Sequence, residues 1–246
     1  MSIAEKVTTI AENAQKVYDA GKQAEYDTFW DACQVDGSQK SYVQRFAGAG
    51  WNDGTFKPKY DIVVSYNGMV RMFSFSHIQD LRGILEKRGV TLDVSAGANF
   101  TNMCESSWIT RFPILDISKQ NSGYAIFTGC ADLQSIQKLI FKADGTTPIG
   151  SSMFQNCSAL TEIEEIEGTI GQNGFDTHWS TKLSKASIES IVNALSATTT
   201  GLTVTFSKTA VNNAFGIDVD DETTWGEGTA FYALRHSKDN WTFSYV

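Results

Sequence analysis

Phenylalanine stands at positions 46, 73, 100, 127 and 154, one residue in every 27, and the words around it recur with it. "IFTGCADLQSIQKLI" at 126–140 and "SMFQNCSALTEIEEI" at 152–166 align at that spacing, so Leu133, Ile136 and Leu139 match Leu160, Ile163 and Ile166. One step further back, "NFTNMCESSWITRFP" keeps Phe100, Asn102, Ile109 and Phe112 but sets Ser106 where the leucine belongs. "FAGA" opens on Phe46 as "FTGC" opens on Phe127, while the unit at Phe73 keeps little besides its ring. Apolar residues three apart would by themselves indicate one face of a helix. Recurrence at a fixed period points elsewhere, because a unit this short buries too little apolar surface to fold alone and must stack on its neighbours.

The period lies in the range of leucine-rich repeats. The expected fold class is α/β: a leucine-rich-repeat solenoid of 27-residue units with a long N-terminal α-helix and a helix-strand C-terminal cap. Each phrase reads as a short helical turn feeding a strand. Phe127, Cys130, Leu133 and Ile136 then point inward, as do Phe154, Cys157, Leu160 and Ile163, with cysteine serving as a small apolar rung. Strands are expected at 91–95, 114–118 and 138–143 and around Ile163 to Ile166. Three regions follow: an N-terminal helix over 1–34, an irregular repeat region over 35–180, and helix-strand capping units over 181–246. In the last, "LSKASIESIVNALS" offers Ser184 as an N-cap with Ile188, Ile191, Val192 and Leu195 on one face. "LTVTFS" and "NWTFSYV" alternate as strands, expected to extend the sheet and close its end.

Residues 2–33 contain no proline and only Gly21, and Ile3, Val7, Ile10, Ala14, Val17, Gly21 and Ala24 advance in steps of four and three. That is a heptad seam. A helix of this length would run about 48 Å at ~1.5 Å per residue, more than one small domain covers easily. The expected partner is a second copy of the chain, giving a homo-oligomer, and a trimer would suit a fibrous appendage. Folding back along its own domain is the alternative. The N-terminus lacks a continuous apolar segment, and no stretch approaches the roughly 18 apolar residues of a membrane span, so neither export nor membrane insertion is expected.

A formal charge of −8, from 28 acidic against 20 basic residues, repels phosphate backbones, and nucleic acid is not an expected partner. Cysteines 33, 104, 130 and 157 form no CxxC pair, which argues against a zinc site or a disulfide framework. No nucleophile elbow, phosphate loop, dinucleotide fingerprint or HExxH motif occurs, so no cofactor is expected. His77, His178 and His236 stand without a ligand partner at metal-site spacing. Glycoside hydrolysis needs two carboxyls about 5–10 Å apart; Glu162, Glu164, Glu165 and Glu167 in "EIEEIEG" read more simply as solvated strand positions. "DVDDETTWGEG" at 218–228 lacks the EF-hand spacing and reads as an acidic surface loop. Trp51 in "GWNDGT" and Trp179 in "THWSTK", flanked by small polar residues, are the candidates for stacking on a sugar ring, and Trp241 reads as core.

Taken together, "AEYDTFW", "FAGAGWNDGTFKPKYDI", the F-x-x-C phrases, "GTIGQNGF" and "KLSKASIESIVNALS" with "GLTVTFSKTAVNNAF" and "NWTFSYV" resemble a known family. They are similar to BspA-type leucine-rich-repeat proteins encoded in phage and prophage structural gene clusters of gut bacteria. The resemblance covers nearly the whole chain and departs from the pattern at Met103 and Ser106. It implies a non-enzymatic virion structural protein, tail-fibre or baseplate associated, that contacts other virion proteins and the host surface. Such a protein is made in the bacterial cytoplasm and released by lysis. The resemblance supplies no catalytic residues. A capsid decoration or head-fibre protein suits the same features, as does a BspA-like bacterial adhesin, which predicts an export signal and an anchor. A glycan-cleaving enzyme predicts an acid pair in a cleft, for which Glu162 and Glu165 are the candidates.

Overall fold

The repeated phrase folds as a tight helical turn that closes on a residue in the left-handed region and then runs out extended. Turns at 70–75, 101–106, 124–129 and 152–156 close on Phe75 (φ 56°), Ser106 (52°), Gly129 (76°) and Asn156 (61°). The computed structural model describes residues 51–54, 56–58, 61–64, 69–150 and 152–246. Phe46 and the heptad positions Ile3, Val7, Ile10, Ala14, Val17, Gly21 and Ala24, with the long helix they would form, lie outside the described residues.

Backbone hydrogen bonds join one turn to the next. The amide of Phe73 donates to Met103 (2.7 Å), that of Cys104 to Ile126 (2.8 Å), and that of Phe127 to Met153 (2.9 Å). Within each turn the carbonyls of Phe73, Cys104, Phe127 and Phe154 accept from Ser76, Ser107, Cys130 and Cys157. These are therefore the equivalent positions, separated by 31, 23 and 27 residues. The long step and the short one together span two periods, so Phe73 and Phe127 keep their spacing while Phe100 between them does not hold the equivalent place. Cys104 does. Phe100 is fully buried but its amide bonds to Ser122.

Among the described residues nine short strands, all paired in parallel, form three separate sheets. β1 (Ile62–Val63) pairs with β2 (Leu92–Asp93). β3 (Arg111–Asp116) pairs with β4 (Ser135–Ile140), whose other edge takes both β5 (Glu162–Ile163) and β6 (Ile166–Glu167). β7 (Asp176–Thr177), β8 (Leu202–Phe206) and β9 (Trp241–Tyr245) form the third sheet. The helices are α1 (Leu81–Arg88), α2 (Lys185–Ala194), α3 (Lys208–Phe215) and α4 (Ala230–His236), with a 3-10 turn at Glu222–Thr224.

This corrects the expected fold class. The described chain is a mixed α/β structure of four short helices and small parallel sheets, not a leucine-rich-repeat solenoid. The physical reason is the uneven unit. Paired residues are 30 apart in the first sheet, 24 and 27 in the second, and 29 and 39 in the third. One ladder cannot run through steps that differ this much. The two C-terminal strands accordingly do not extend the central sheet; they pair with β7 in a sheet of their own. The strand expected at 91–95 shrinks to two residues, while those expected around 114–118 and 138–143 begin three residues earlier.

Local chemistry explains the helix ends. Asp80 caps α1 by accepting the Gly83 amide, Lys87 and Arg88 in the last turn face the negative end of the helix dipole, and Gly89 ends the helix at φ 65°. Ser184 caps α2 as its sequence indicated, accepting the Ser187 amide. Between the layers the apolar residues form one core. Phe127 meets Phe112 edge-on at 5.1 Å and stacks on Phe154 at 5.9 Å, and Phe154 meets Phe175 at 5.7 Å. Such pairs add about 0.5–1.5 kcal/mol each beyond the area they bury. Trp241 lies in the core and donates its indole N–H to Ser196 O at 2.9 Å.

Candidate functional site

The 31-residue step between the first two turns sets the residues after Ser76 and Ser107 against each other. The Trp108 amide donates to Ser76 O (3.0 Å), and the Trp108 and His77 rings stack at 4.1 Å with their planes 28° apart. Trp108 remains 47% exposed. On the other side His77 pairs in parallel with Asn52 and donates its amide to Trp51 O at 2.8 Å. Phe75, just before the buried Ser76, is 52% exposed and sits at φ 56°. A bulky residue in that region carries a backbone penalty of about 1–2 kcal/mol, and exposure of the ring forfeits its burial as well. The same left-handed conformation closes the other three turns at Ser106, Gly129 and Asn156.

The loop carrying Asn52 also borders a cleft. Asp53 Oδ1 accepts the Gln79 amide at 2.6 Å and thereby ties the loop to the start of α1. At the far end of α1, Arg88 Nε donates to Pro58 O. Between these two ties lies a cleft of about 520 Å³, with Phe56, Pro58 and Ile84 as its apolar lining and Asp53, Lys57, Lys87 and Arg88 around them.

Of the sequence candidates, Trp51 is half-buried at the margin of the core and meets Phe56 edge-on at 6.1 Å. Trp179 is 41% exposed and tilts over the His178 ring at 4.7 Å. The exposed ring stacked on His77 is Trp108, which its sequence context "SSWIT" did not favour. Two histidines have carboxylate partners that sequence reasoning missed: His178 Nδ1 lies 2.7 Å from Asp176 Oδ1, and His236 Nδ1 lies 3.0 Å from Asp239 Oδ1. An Asp two residues before a His, able to accept that residue's own amide as Asp176 does at 2.9 Å, is the signal that would have found the first.

The glutamates of "EIEEIEG" are engaged with neighbours. Lys138 Nζ reaches Glu165 and Glu167, both at 2.7 Å, Arg82 reaches Glu164 at 2.5 Å, and Glu162 accepts from Ser184 (3.0 Å) and Ser187 (3.2 Å). In the acidic loop Asp218 and Asp221 accept amides within their own turns, and Asp220 pairs with Lys208 at 2.5 Å. Among the described residues no group of three His, Cys, Asp or Glu side chains gathers to hold a metal ion, and no helix is long and apolar enough to cross a membrane. Cys104, Cys130 and Cys157 are buried free thiols. Burial pushes the Cys130 thiol up to about 11 against the opposing pull of Ser107, and raises Cys104 and Cys157 well above the ordinary value.

No family model matches the chain, and none of the curated proteins or solved structures matches it either.

Proposed function

We propose that the chain is a non-enzymatic recognition protein that holds a sugar ring of the host surface against Trp108, and that it does so as a component of a phage virion. The observation that carries the sugar reading is the exposed Trp108 ring held flat against His77 at 4.1 Å. A sugar's C–H face packs on an aromatic plane, and a ring already fixed by a stack loses little freedom when it is covered. Partners on every glutamate of the 162–167 run favour binding over hydrolysis. The virion assignment rests on the resemblance to phage structural-cluster proteins.

Saturation-transfer NMR against polysaccharide isolated from the host envelope tests the first part: signal is expected on wild type and on Trp179→Ala, and is lost in Trp108→Ala. Equal signal from the Trp108 variant would remove the site. Immunogold microscopy of phage particles tests the second, with label expected at the tail tip. Label on bacterial cells and none on particles would point to the adhesin instead, and label on the head to a decoration protein.

A further inference from the structure

We infer that the ligand held at Trp108 is a linear, uncharged oligosaccharide of about four units, laid along the row of turns and stacked at its far end on Trp179. This rests on the sugar-binding reading above and adds the ligand's length, direction and charge. Hydrogen bonds place the two tryptophans on one row. Ser107, Cys130 and Cys157 hold equivalent places in successive turns, and Ser180 continues the series. Its amide donates to Thr177 O at 2.9 Å, as that of Cys157 does to Phe154 O at 3.1 Å, and its hydroxyl donates to Cys157 O at 3.2 Å. Trp108 directly follows the first of these rungs and Trp179 directly precedes the last. Hydrogen-bonded neighbours of this kind lie about 4.8 Å apart, so the steps from Ser107 to Ser180 separate the two ring positions by roughly 14 Å. A pyranose unit of an extended glycan advances by about one such step.

Both rings are mounted in the same way. Trp108 stacks on His77 at 4.1 Å, Trp179 tilts over His178 at 4.7 Å, and His178 is itself held by Asp176, whose Oδ1 lies 2.7 Å from its Nδ1. These are the two exposed tryptophans among the described residues. Each is backed by a histidine, which leaves one face to a ligand. From one ring to the other the row is low. It carries Ser106, Gly129 and Asn156 before the rungs and Ala131, Ser158 and Thr181 after them, all exposed or half-buried. Neighbouring turns meet closely there, since a Cβ on Gly129 would lie 2.8 Å from Ser106 Oγ. Small side chains give a chain lying between the rings room to approach, and the Ser, Thr and Asn groups can donate to and accept from its hydroxyls. None of these positions is charged, in a protein of formal charge −8. The charged residues next to them in sequence are Glu105, Asp132 and Lys182, so negative charge predominates at the margins. That setting repels an acidic sugar and is indifferent to a neutral one.

The test is calorimetric titration of the full chain with oligosaccharides released from the host envelope polysaccharide by partial hydrolysis and separated by charge and by length. The neutral five-unit fraction is expected to bind about tenfold or more tighter than the neutral two-unit fraction, because the second ring is then engaged within one molecule. The acidic five-unit fraction binds no tighter than the neutral one. In Trp179→Ala the gain with length disappears while two-unit binding remains at Trp108, which also shows that the variant is folded. Trp179→Phe, which keeps a ring, retains most of the gain. Equal affinity for two and five units, or a Trp179→Ala variant that keeps the gain, overturns the extended row and leaves the Trp108 site standing. Tighter binding of the acidic fraction overturns the uncharged assignment. Absence of binding to every fraction overturns both readings, as does Trp108→Ala binding every fraction like wild type.

Discussion

Replacing Gly168 by alanine is expected to break the junction between β4 and β6. Gly168 follows Glu167 at φ 85°, and a Cβ there would lie 2.2 Å from Phe141 O and 2.7 Å from Phe141 C, both backbone atoms of the neighbouring segment. Two penalties add. The positive φ costs about 1–2 kcal/mol for any residue with a Cβ. The clash is relieved only if the Phe141 peptide retreats, which pulls its amide away from Glu167 O, 2.9 Å distant, and leaves a buried backbone pair unmade at about 1–3 kcal/mol. A loss of about 3 kcal/mol results, or roughly 6–12 °C in Tm for a chain of this size. Gly201 is the control: its φ is 73° but nothing lies within 4 Å of the added Cβ, so Gly201→Ala carries the backbone penalty alone, about 1–2 kcal/mol. Urea unfolding followed by circular dichroism, with the slopes compared, measures both. If the two variants lose the same stability, the close approach of Gly168 to Phe141 contributes nothing and the packing of β6 against β4 is wrongly described.

Three other outcomes follow from the site and its surroundings. Phe75→Gly relieves the left-handed strain at φ 56° and is expected to raise stability by about 1 kcal/mol; a fall in Tm would show that the exposed ring contributes packing. Burial alone would raise the Asp80 carboxyl, but the Arg111 hydrogen bond, the Gly83 amide and the nearby Arg82 outweigh it and hold the group below the ordinary carboxylate value. A lowered folded pKa means that the ionised form stabilises the fold above the unfolded value of about 3.9 and that this contribution is lost as pH falls through the folded one. Asp80→Asn keeps the cap and removes the charge, so it is expected to be destabilising at pH 7 by at most about 1 kcal/mol for so exposed a pair. Urea midpoints should converge with wild type once the pH lies below the lowered folded value, and a gap undiminished at acid pH would assign the effect to the cap. Cys104, Cys130 and Cys157, buried and shifted upward, are expected to react with maleimide only as fast as the fold opens, read by peptide mass across a urea series. Labelling within seconds in native buffer would contradict their placement in the core.

What the sequence made legible was whatever depends on a few neighbouring residues. Ser184 before a 3.6-residue apolar pattern gave α2, and alternation gave β8 and β9. The inward-facing Phe, Cys, Leu and Ile of the two best-matched phrases are all buried. What stayed hidden depends on counting across the chain. The step of 31 residues from Phe73 to Cys104 is cancelled by the step of 23 that follows, so the spacing of phenylalanines runs smoothly over a place where the structure slips. That slip creates the site. A uniform step of 27 would have put Cys104 opposite His77 and Trp108 opposite Leu81, a residue buried in α1. Because the second turn lags by four residues, Trp108 arrives over His77 instead, and its ring is left stacked and half in solvent. The irregularity that prevents one continuous ladder of strands is therefore the same irregularity that brings the exposed Trp108 ring onto His77.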